Sequence, residues 1–212
     1  MRMLILTQFF APETGAPQTR LGALARELIR LGHEAEVVTA MPNYPAGRIF
    51  SAYRGRFYCR EDWGGIAIHR VWVHASMGKG AGRLLNYLSF AATSLYALIK
   101  SKRPDYIFVE SPPLFLAIPA ILMARLWRVA TILNVADLWP DSVRQLGILK
   151  PGIILRAAER LERWAYRRAD FVNAVTEGIA RTLIEDKSVP GHKLLRLAGT
   201  KPPRPKTVQV LP

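Results

Sequence analysis

Apolar residues follow two different spacings in the first forty residues of the chain. Residues 3–10 (MLILTQFF) form an apolar-rich run that is typical of a buried strand. Four leucines then recur at helical spacing: Leu21, Leu24, Leu28 and Leu31. Pro17 suits the first turn of this helix, and Gly32 is placed for a left-handed cap at its end. A second strand over residues 34–39 completes a βαβ unit, which requires a parallel sheet covered by helices.

The same alternation continues to residue 186. The pattern predicts a hairpin at 56–62 and 66–74, helices at 80–100 and 113–127, strands at 106–110 and 129–135, a helical region to 168 with a helix starting at Pro151, a strand at 170–175 and a helix at 176–186. The sequence therefore predicts an α/β fold with a Rossmann-like, doubly wound and mostly parallel sheet.

In such a sheet, ligands bind outside the carboxyl ends of the strands. The loops that follow the predicted strands are therefore the places to look for chemistry, at residues 10–16, 40–56, 111–113, 136–142 and 176–178. The loop at 40–56 is rich in proline, glycine, asparagine and tyrosine and is unusually long. Long ordered loops in compact domains tend to carry function.

Gly15 stands directly before a predicted helix, in the segment APETGAPQTR. The unpaired backbone N–H groups of a helix start can receive an anionic oxygen, but an ordinary tight turn explains the glycine equally well. No GxGxxG and no GxxxxGK[ST] pattern occurs in the chain. Dinucleotide and Walker-type nucleotide sites are therefore weakly supported.

Asp137 follows an apolar strand in the segment ADLWPDS. Its carboxylate could cap the backbone of the helix near residues 140–142, or it could hold a substrate hydroxyl, and the capping role is the commoner one. Trp139 is more typical of a packing residue than of a stacking platform.

Composition limits the possible chemistry. The chain has 212 residues, one cysteine (Cys59) and four histidines, which excludes a disulfide framework and gives no metal-ligand set. The formal net charge is +14, and residues 1–186 alone hold 24 Lys+Arg against 16 acids. Such a charge favours anionic partners, whether nucleic acid, lipid headgroups or phosphorylated metabolites. Nucleic acid is not expected, because no recognisable nucleic-acid-binding pattern accompanies the charge.

Two helical segments bear on membrane contact. The longest uncharged run, residues 84–99, has 16 residues, fewer than the roughly 20 needed to span a bilayer. The segment after Pro151 is amphipathic and rich in arginine. It predicts either a solvated helix on the sheet or a basic helix at an anionic lipid surface. Its predicted apolar face consists of Ile153, Ile154, Ala157, Leu161, Trp164 and Ala165.

The carboxyl-terminal segment differs in composition from the rest. Residues 187–212 carry six Lys/Arg and no acid, with four prolines beyond Gly191. We therefore predict one domain at 1–186, followed by a basic, proline-rich tail at 187–212.

Five segments of the chain occur in the same order as the motifs of one protein family. They are QFFAPETGAPQTRLGALARELIRLGHEAEVVTAMPNYPAGRI, LLNYLSF, ESPPLFLAIPA, ADLWPDSVRQLGILK and LERWAYRRADFVNAVTEGI. Over about residues 1–186 the chain resembles the N-terminal half of family-four GT-B glycosyltransferases, in the branch of capsule, O-antigen and colanic-acid sugar transferases.

The resemblance implies an acceptor-binding domain of a retaining hexosyltransferase. Asp137 falls on the family's DLWP aspartate and is the implied catalytic residue. The implied substrate-binding residues are Glu13, Gly15, Ala16, Asn43, Tyr44, Arg48, Ser111, Thr176 and Glu177. The acceptor in this branch is a polyprenyl-diphosphate-linked sugar, which implies a cytoplasmic protein held peripherally at the inner face of an anionic cell membrane. No metal and no cofactor are implied within this half.

Two departures from the family pattern change the expectation. Asn134 and Ala136 stand where the family commonly has Glu, His or Trp and Arg, Gln or His. The sequence after residue 186 does not continue into the family's donor-binding domain. We therefore expect a truncated or split gene product that is inactive alone. A nucleotide-sugar donor is expected to bind only when a separate polypeptide supplies the second half. The alternative is a noncatalytic module that binds a membrane surface or a phosphoglycolipid.

Overall fold

The computed structural model describes residues 1–76, 81–142 and 152–196. Its strands are β1 (Arg2–Leu6), β2 (Glu34–Ala40), β3 (Tyr58–Trp63), β4 (Ile66–Val71), β5 (Tyr106–Ser111), β6 (Ala130–Val135), β7 (Phe171–Ala174) and β8 (Leu194–Arg196). Its helices are α1 (Ala16–Arg30), α2 (Ala81–Lys100), α3 (Ala117–Trp127), α4 (Ile153–Arg168) and α5 (Glu177–Glu185). Single 3-10 turns lie at Ser51–Tyr53, Leu114–Leu116 and Gly191–Lys193.

All eight strands belong to one sheet, in the order β3-β4-β2-β1-β5-β6-β7-β8. Every neighbouring pair is parallel except the β3–β4 hairpin. The direction in which strands are added to the sheet reverses at β1. The chain adds β2 on one side of β1, and later adds β5 on the other side. This is the doubly wound α/β sheet that the sequence predicts, with the fold class confirmed.

The two faces of the sheet are covered by different helices. Met3 and Ile5 of β1 pack with Leu21 and the other buried residues of α1. Leu4 and Leu6, which point to the opposite face, belong to a larger core that includes residues of α2, α3, α4 and α5. Alternating side chains of a strand point to opposite faces, so a continuous apolar run such as MLIL needs helices on both sides.

Local signals place most elements correctly. Pro17 lies in the first turn of α1, and Gly32 has the left-handed φ of 78° expected of a residue that ends a helix. The segment predicted as one helix from Pro113 to Trp127 instead begins with the 3-10 turn and becomes α-helical at Ala117. No helix among the described residues is both long enough and apolar enough to cross a bilayer.

The predicted apolar face of α4 is only partly correct: Ala165 is buried and Leu161 and Trp164 pack against the core, but the face is exposed at the start of the helix. Ile153 is 82% exposed and Ile154 is also exposed, whereas the buried residues of α4 are Leu155, Ala158, Glu162, Ala165 and Tyr166. The helix turns Glu162 inward because Lys187 and Tyr166 bond to its carboxylate, at 2.8 and 3.1 Å. Apolar spacing alone places Ile153 and Ile154 on the buried face and leaves out Glu162, since a neutralising partner from a distant segment cannot be read from the helix sequence.

The structure also corrects the predicted domain boundary at residue 186. Beyond it, Lys187 lies between the carboxylates of Asp141 and Glu162, Val189 is buried, and β8 pairs in parallel with β7. The folded domain therefore continues at least to Arg196, and the segment predicted as a tail begins inside the domain.

Candidate functional site

Five loops lie side by side along one edge of the sheet. Strands β2, β1, β5, β6 and β7 are parallel neighbours in that order, so the loops that follow them emerge at the same edge. We call these loops the rim, and they comprise residues 7–15, 41–57, 111–116, 136–142 and 175–176. The rim and the helix starts that border it hold all the site residues expected from the sequence.

Glu13 joins the first two loops of the rim. Its carboxylate is buried, and Oε1 accepts hydrogen bonds from the backbone N–H groups of Asn43 and Tyr44, both at 2.7 Å. Oε2 accepts the N–H of Phe10 at 3.2 Å. Glu13, Asn43 and Tyr44 therefore lie together, and Asn43 and Tyr44 contact Glu13 through their backbone N–H groups.

Burial raises the pKa of the Glu13 carboxyl group above its ordinary value, although the three N–H donors and the charge of Arg70 oppose this shift. Desolvation disfavours the charged form, whereas donated hydrogen bonds and a nearby cation favour it. The raised pKa shows that desolvation is the larger effect at this position.

Arg70 supports the same corner from β4. Its side chain is buried, its Nε donates to Glu61 at 2.7 Å, and an Nη donates to the carbonyl oxygen of Ala11. The guanidinium also lies over the ring of Tyr53, 5.4 Å from the centroid. One cation thus links the loop after β1 with the loop after β2 and with β3.

The exposed parts of this corner are Tyr44 and Arg48. The Tyr44 ring is 41% exposed and packs edge-on against Phe9, with centroids 5.8 Å apart. Arg48 is exposed in the same loop. An exposed aromatic ring and an exposed guanidinium on the same loop provide an apolar surface and a cation, two features that a sugar phosphate would contact.

Asp137 does not take the backbone-capping role within the part of the chain that the structure describes. Its carboxylate accepts the hydroxyl group of Ser142 at 2.8 Å, rather than a backbone N–H among the described residues. Its loop is anchored to the strand beside it, because the N–H of Ala136 donates to the carbonyl oxygen of Ser111 at 2.9 Å. Asp137 is exposed and already binds a hydroxyl, so it is chemically able to accept one from a substrate. Trp139 packs against Phe115, as expected of a core residue.

The helix starts at the rim differ in how they are capped. Thr176 caps α5 by accepting the N–H of Ile179 at 3.2 Å, and Glu177 lies in the first turn, where its charge suits the helix dipole. By contrast, α1 begins at Ala16 with no side-chain cap and no acid in its first turn. A Cβ at Gly15 would lie 2.6 Å from Oε1 of the buried Gln18, so a larger residue there would require the end of the Gln18 side chain to move.

A buried polar row beneath the rim was not anticipated. Glu110, Asn134 and Asn173 are in register on β5, β6 and β7, each one residue before the end of its strand. Asn134 donates to Glu110 at 2.6 Å, and Asn173 donates to Asn134 at 2.5 Å. Arg20 of α1 bonds to the other oxygen of Glu110 at 2.6 Å. The signal was present in the sequence, because each of these apolar strands has one amide or carboxylate at the same position.

Burial raises the pKa of the Glu110 carboxyl group, against the effects of Arg20 and Asn134. A buried acid held by a half-exposed guanidinium fixes the position of α1 relative to β5–β7. The row therefore sets the geometry of the rim from below.

A cavity of about 780 Å³ opens beside Asp137. Its walls include Ser142 of the rim, Glu162 and Tyr166 of α4, and Lys187. Within the residues that the structure describes, no group of three or more His, Cys, Asp or Glu is placed to hold a metal ion. Positioning and hydrogen bonding are the chemistry that the described side chains offer.

The fold and the rim define a class: a Rossmann-like domain that presents one continuous wall of loops for a ligand. Residues 15–198 match the family described as the glycosyl transferase 4-like domain, and the chain belongs to this family. It is 29% identical over 191 residues to a protein of Escherichia coli (strain K12) named as the colanic acid biosynthesis glycosyl transferase WcaI. That match covers 87% of this chain and 47% of the relative, so the chain spans about half of the relative's length.

Solved structures agree on the fold. A sucrose-phosphate synthase from Thermosynechococcus elongatus superposes with a TM-score of 0.63 at 10% identity, over 93% of this chain and 47% of that one. A second structure of this synthase gives a TM-score of 0.59 at 8% identity, over 94% of this chain and 90% of that one. The chain thus has the architecture of the N-terminal domain of family-four GT-B glycosyltransferases, as the sequence resemblance implies.

Proposed function

We propose that this chain is the acceptor-binding half of a nucleotide-sugar-dependent glycosyltransferase that acts on a lipid-linked glycan in cell-surface polysaccharide synthesis. The observation that carries the proposal is the rim, in which five loops from neighbouring parallel strands form one wall and Glu13 joins the first two. Membership of the glycosyl transferase 4-like family supports the reaction class. The name of the Escherichia coli relative, which refers to colanic acid biosynthesis, supports a polysaccharide acceptor.

The exposed rim residues have distinct roles in this proposal. Tyr44 offers its ring to a sugar, Arg48 offers its guanidinium to a phosphate, and Asp137 accepts a hydrogen bond from the acceptor hydroxyl group that reacts. Ser111 and Thr176 border the same wall. The buried Glu13 contacts no substrate and acts as a positioning residue for the loop that carries Tyr44 and Arg48.

The nucleotide-sugar donor binds to a second wall, which lies opposite the rim. The chain corresponds to about half of its curated relative, and transfer requires both substrates to be held together in the right geometry. We therefore place the nucleotide-sugar site on polypeptide outside these 212 residues and expect turnover only when that half is supplied. A cytoplasmic location, peripheral to the inner face of the membrane, forms part of the proposal because the acceptor is lipid-linked.

The test is equilibrium binding of a polyprenyl-diphosphate-linked monosaccharide to the 212-residue chain in detergent, with the sugar-free lipid diphosphate as a comparison. Asp137→Ala and Arg48→Ala should each weaken binding of the sugar-bearing lipid about fivefold to tenfold, the equivalent of one lost hydrogen bond of roughly 1–1.5 kcal/mol. Glu185→Gln and Arg181→Ala are matched controls, because they change exposed residues of α5 away from the rim. They should leave the affinity unchanged.

A second measurement separates the proposal from its alternative. Adding a donor-binding half and nucleotide-sugar should give transfer to the bound acceptor, and Asp137→Asn should reduce that transfer. A noncatalytic phosphoglycolipid-binding module would instead give three results together. It would bind the sugar-free lipid with equal affinity, its rim variants would bind normally, and no transfer would occur with a donor half. Robust turnover by the chain alone would refute the placement of the donor site.

A further inference from the structure

Three exposed aromatic side chains lie where the β3–β4 hairpin meets α2. Phe57 directly precedes β3, Trp72 directly follows β4, and Tyr96 belongs to α2. Their exposed fractions are 53%, 40% and 41%, although phenylalanine and tryptophan are normally buried over most of their surface. We call these three residues the aromatic platform.

The platform is held in place by backbone and ring contacts. The N–H of Trp72 donates to the carbonyl oxygen of Phe57 at 2.8 Å, and the carbonyl oxygen of Trp72 accepts the hydroxyl group of Thr93 at 2.7 Å. The ring of Tyr96 packs edge-on against Phe57 and against the half-buried Tyr58, with centroids 5.5 Å apart in both pairs. A ligand on the platform would therefore spend little free energy on ordering it.

The platform continues the rim at one end. Strand β4 is parallel to β2, so Trp72 emerges at the same edge of the sheet as the rim, and Phe57 is the last residue of the rim loop 41–57. Four strand-to-strand steps separate β4 from β6, so at about 4.8 Å per step the platform lies roughly 19 Å from the loop of Asp137. A ligand on the platform is therefore separate from the hydroxyl group that Asp137 would accept.

The charges beside the platform are basic. Residues 51–60 and 72–100 contain no acid. The Nζ of Lys100 lies over the ring of Tyr96, 5.6 Å from its centroid, and Arg56, one residue before the first ring, is exposed. The platform thus combines aromatic surface with cations, and an anionic ligand would complement it.

Aromatic rings flanked by cations fit a saccharide that carries carboxylate groups. A pyranose ring has an apolar C–H face that can pack on an aromatic ring, while its hydroxyl groups stay in water. Tyrosine and tryptophan provide this contact area at low cost in conformational entropy. Carboxylates on the sugar would form charge-assisted hydrogen bonds with the cations. A second copy of the chain is less suited, since it would bring the same cations together.

We propose that the aromatic platform binds an acidic oligosaccharide. Its pyranose rings pack on Phe57, Trp72 and Tyr96, and its carboxylates bond to Arg56 and Lys100. The site goes beyond the proposed acceptor function and does not depend on it, because it requires neither a lipid diphosphate nor a sugar donor.

The experiment is titration of the 212-residue chain with a soluble tetrasaccharide of glucuronic acid, followed by calorimetry and tryptophan fluorescence. The glucose tetrasaccharide of the same linkage is the neutral comparison. The platform is open and contacts ring faces, so it should accept this backbone whatever its linkage. We expect the acidic tetrasaccharide to bind about tenfold more tightly than the neutral one, with an affinity that falls as salt is added.

Ring replacements separate stacking from general apolar contact. Trp72→Leu and Tyr96→Leu keep an apolar side chain but remove the ring, and each should weaken binding about fivefold to tenfold. Trp72→Phe keeps a ring, so it should bind within about twofold of the wild type while losing most of the fluorescence change. Leu126→Ala, at a 72% exposed residue of α3, is the control and should leave the affinity unchanged.

A charge pair tests the role of the carboxylates. Arg56→Gln combined with Lys100→Gln should remove most of the preference for the acidic tetrasaccharide. Arg125→Gln combined with Arg181→Gln changes the net charge equally, at exposed residues of α3 and α5, and should preserve that preference. Circular dichroism of each variant checks that it has folded.

Three results would overturn the site. They are no saturable binding of the acidic tetrasaccharide, leucine variants that bind as tightly as the wild type, or binding that Asp137→Ala abolishes while the platform variants retain it. The last result would place the saccharide on the rim. Neither tetrasaccharide carries a lipid or a diphosphate, so a failure here leaves the acceptor proposal standing, and a failed acceptor test leaves this site standing.

Discussion

Replacing Glu13 by alanine should separate the two loops that its carboxylate joins. The change removes the acceptor of three backbone N–H groups, of which those of Phe10 and Asn43 belong to buried residues. A buried donor left without a partner costs about 1–3 kcal/mol, so two such donors cost roughly 2–6 kcal/mol. Releasing a desolvated carboxylate offsets part of this loss. We therefore expect Glu13→Ala to lower the free energy of unfolding by about 2–4 kcal/mol.

Glutamine at the same position should be milder. Its carbonyl oxygen can still accept from Asn43 and Tyr44, but its amide then opposes the N–H of Phe10, and about 1 kcal/mol is lost. Urea unfolding at pH 7 measures both variants, and a loss of 1 kcal/mol corresponds to a fall in Tm of roughly 2–4 °C for a domain of this size. Glu185→Ala, an exposed glutamate on α5, is the control and should stay within about 0.5 kcal/mol of the wild type.

The same carboxyl group predicts a pH dependence. Burial raises its pKa in the folded chain, so between the unfolded and folded values the folded state binds more protons. The contribution of Glu13 to stability is therefore complete below the unfolded pKa and declines as the pH rises through the folded pKa. Glu13→Gln lacks this decline, so the stability difference between wild type and variant should shrink as the pH is raised.

Amide hydrogen exchange at Asn43 and Tyr44 connects stability to the rim. Both amides should lose protection in Glu13→Ala, while amides in the centre of the sheet change only as much as global stability does. A loss below about 0.5 kcal/mol together with unchanged exchange at these two amides would refute the role assigned to the carboxylate.

Three further changes test the remaining structural assignments. Thr176→Ala should cost about 1 kcal/mol by removing the cap of α5, and Thr176→Ser should restore it; thermal unfolding measures both. Arg20→Gln should cost about 1–3 kcal/mol at pH 7 by leaving Glu110 without its cation. This cost should shrink as the pH is lowered and the buried acid takes up a proton, and urea midpoints that are unchanged at neutral and at acidic pH would contradict it. Lys187→Met should cost about 2–4 kcal/mol, because Glu162 stays buried without its partner; an unaltered urea midpoint would show that residue 187 lies outside the cooperative unit.

The sheet and its helices could be predicted because apolar spacing is a local signal. The run at residues 3–10, the leucine spacing of α1 and the glycine at 32 each define their element without help from the rest of the chain. Contacts between distant residues leave no such signal. The bond between Glu13 and Asn43 and the ion pair between Lys187 and Glu162 join segments whose order in space depends on the whole fold.

The boundary at residue 186 illustrates why composition misled the sequence analysis. A run of bases without acids is typical of a tail, but the acids that neutralise Lys187 lie on α4 and in the loop after β6. Glu162 is not part of the predicted apolar face, and its burial depends on the same partner, Lys187, which cannot be read from the sequence of the helix. The polar row of Glu110, Asn134 and Asn173, in contrast, was visible in the strands themselves.

Three buried carboxylates hold the wall together, and all three have a pKa raised by burial: Glu13, Glu110 and Glu162. Each accepts hydrogen bonds from segments that are distant along the chain, so each fixes one part of the wall relative to another. Apolar residues would often stabilise the same positions at least as well, because desolvating a charge is costly. A hydrogen-bonded carboxylate differs from an apolar residue in its effect on geometry, because it specifies where its donors lie. A wall fixed in this way is ordered before any ligand or opposite wall arrives, and little binding free energy is then spent on ordering the rim.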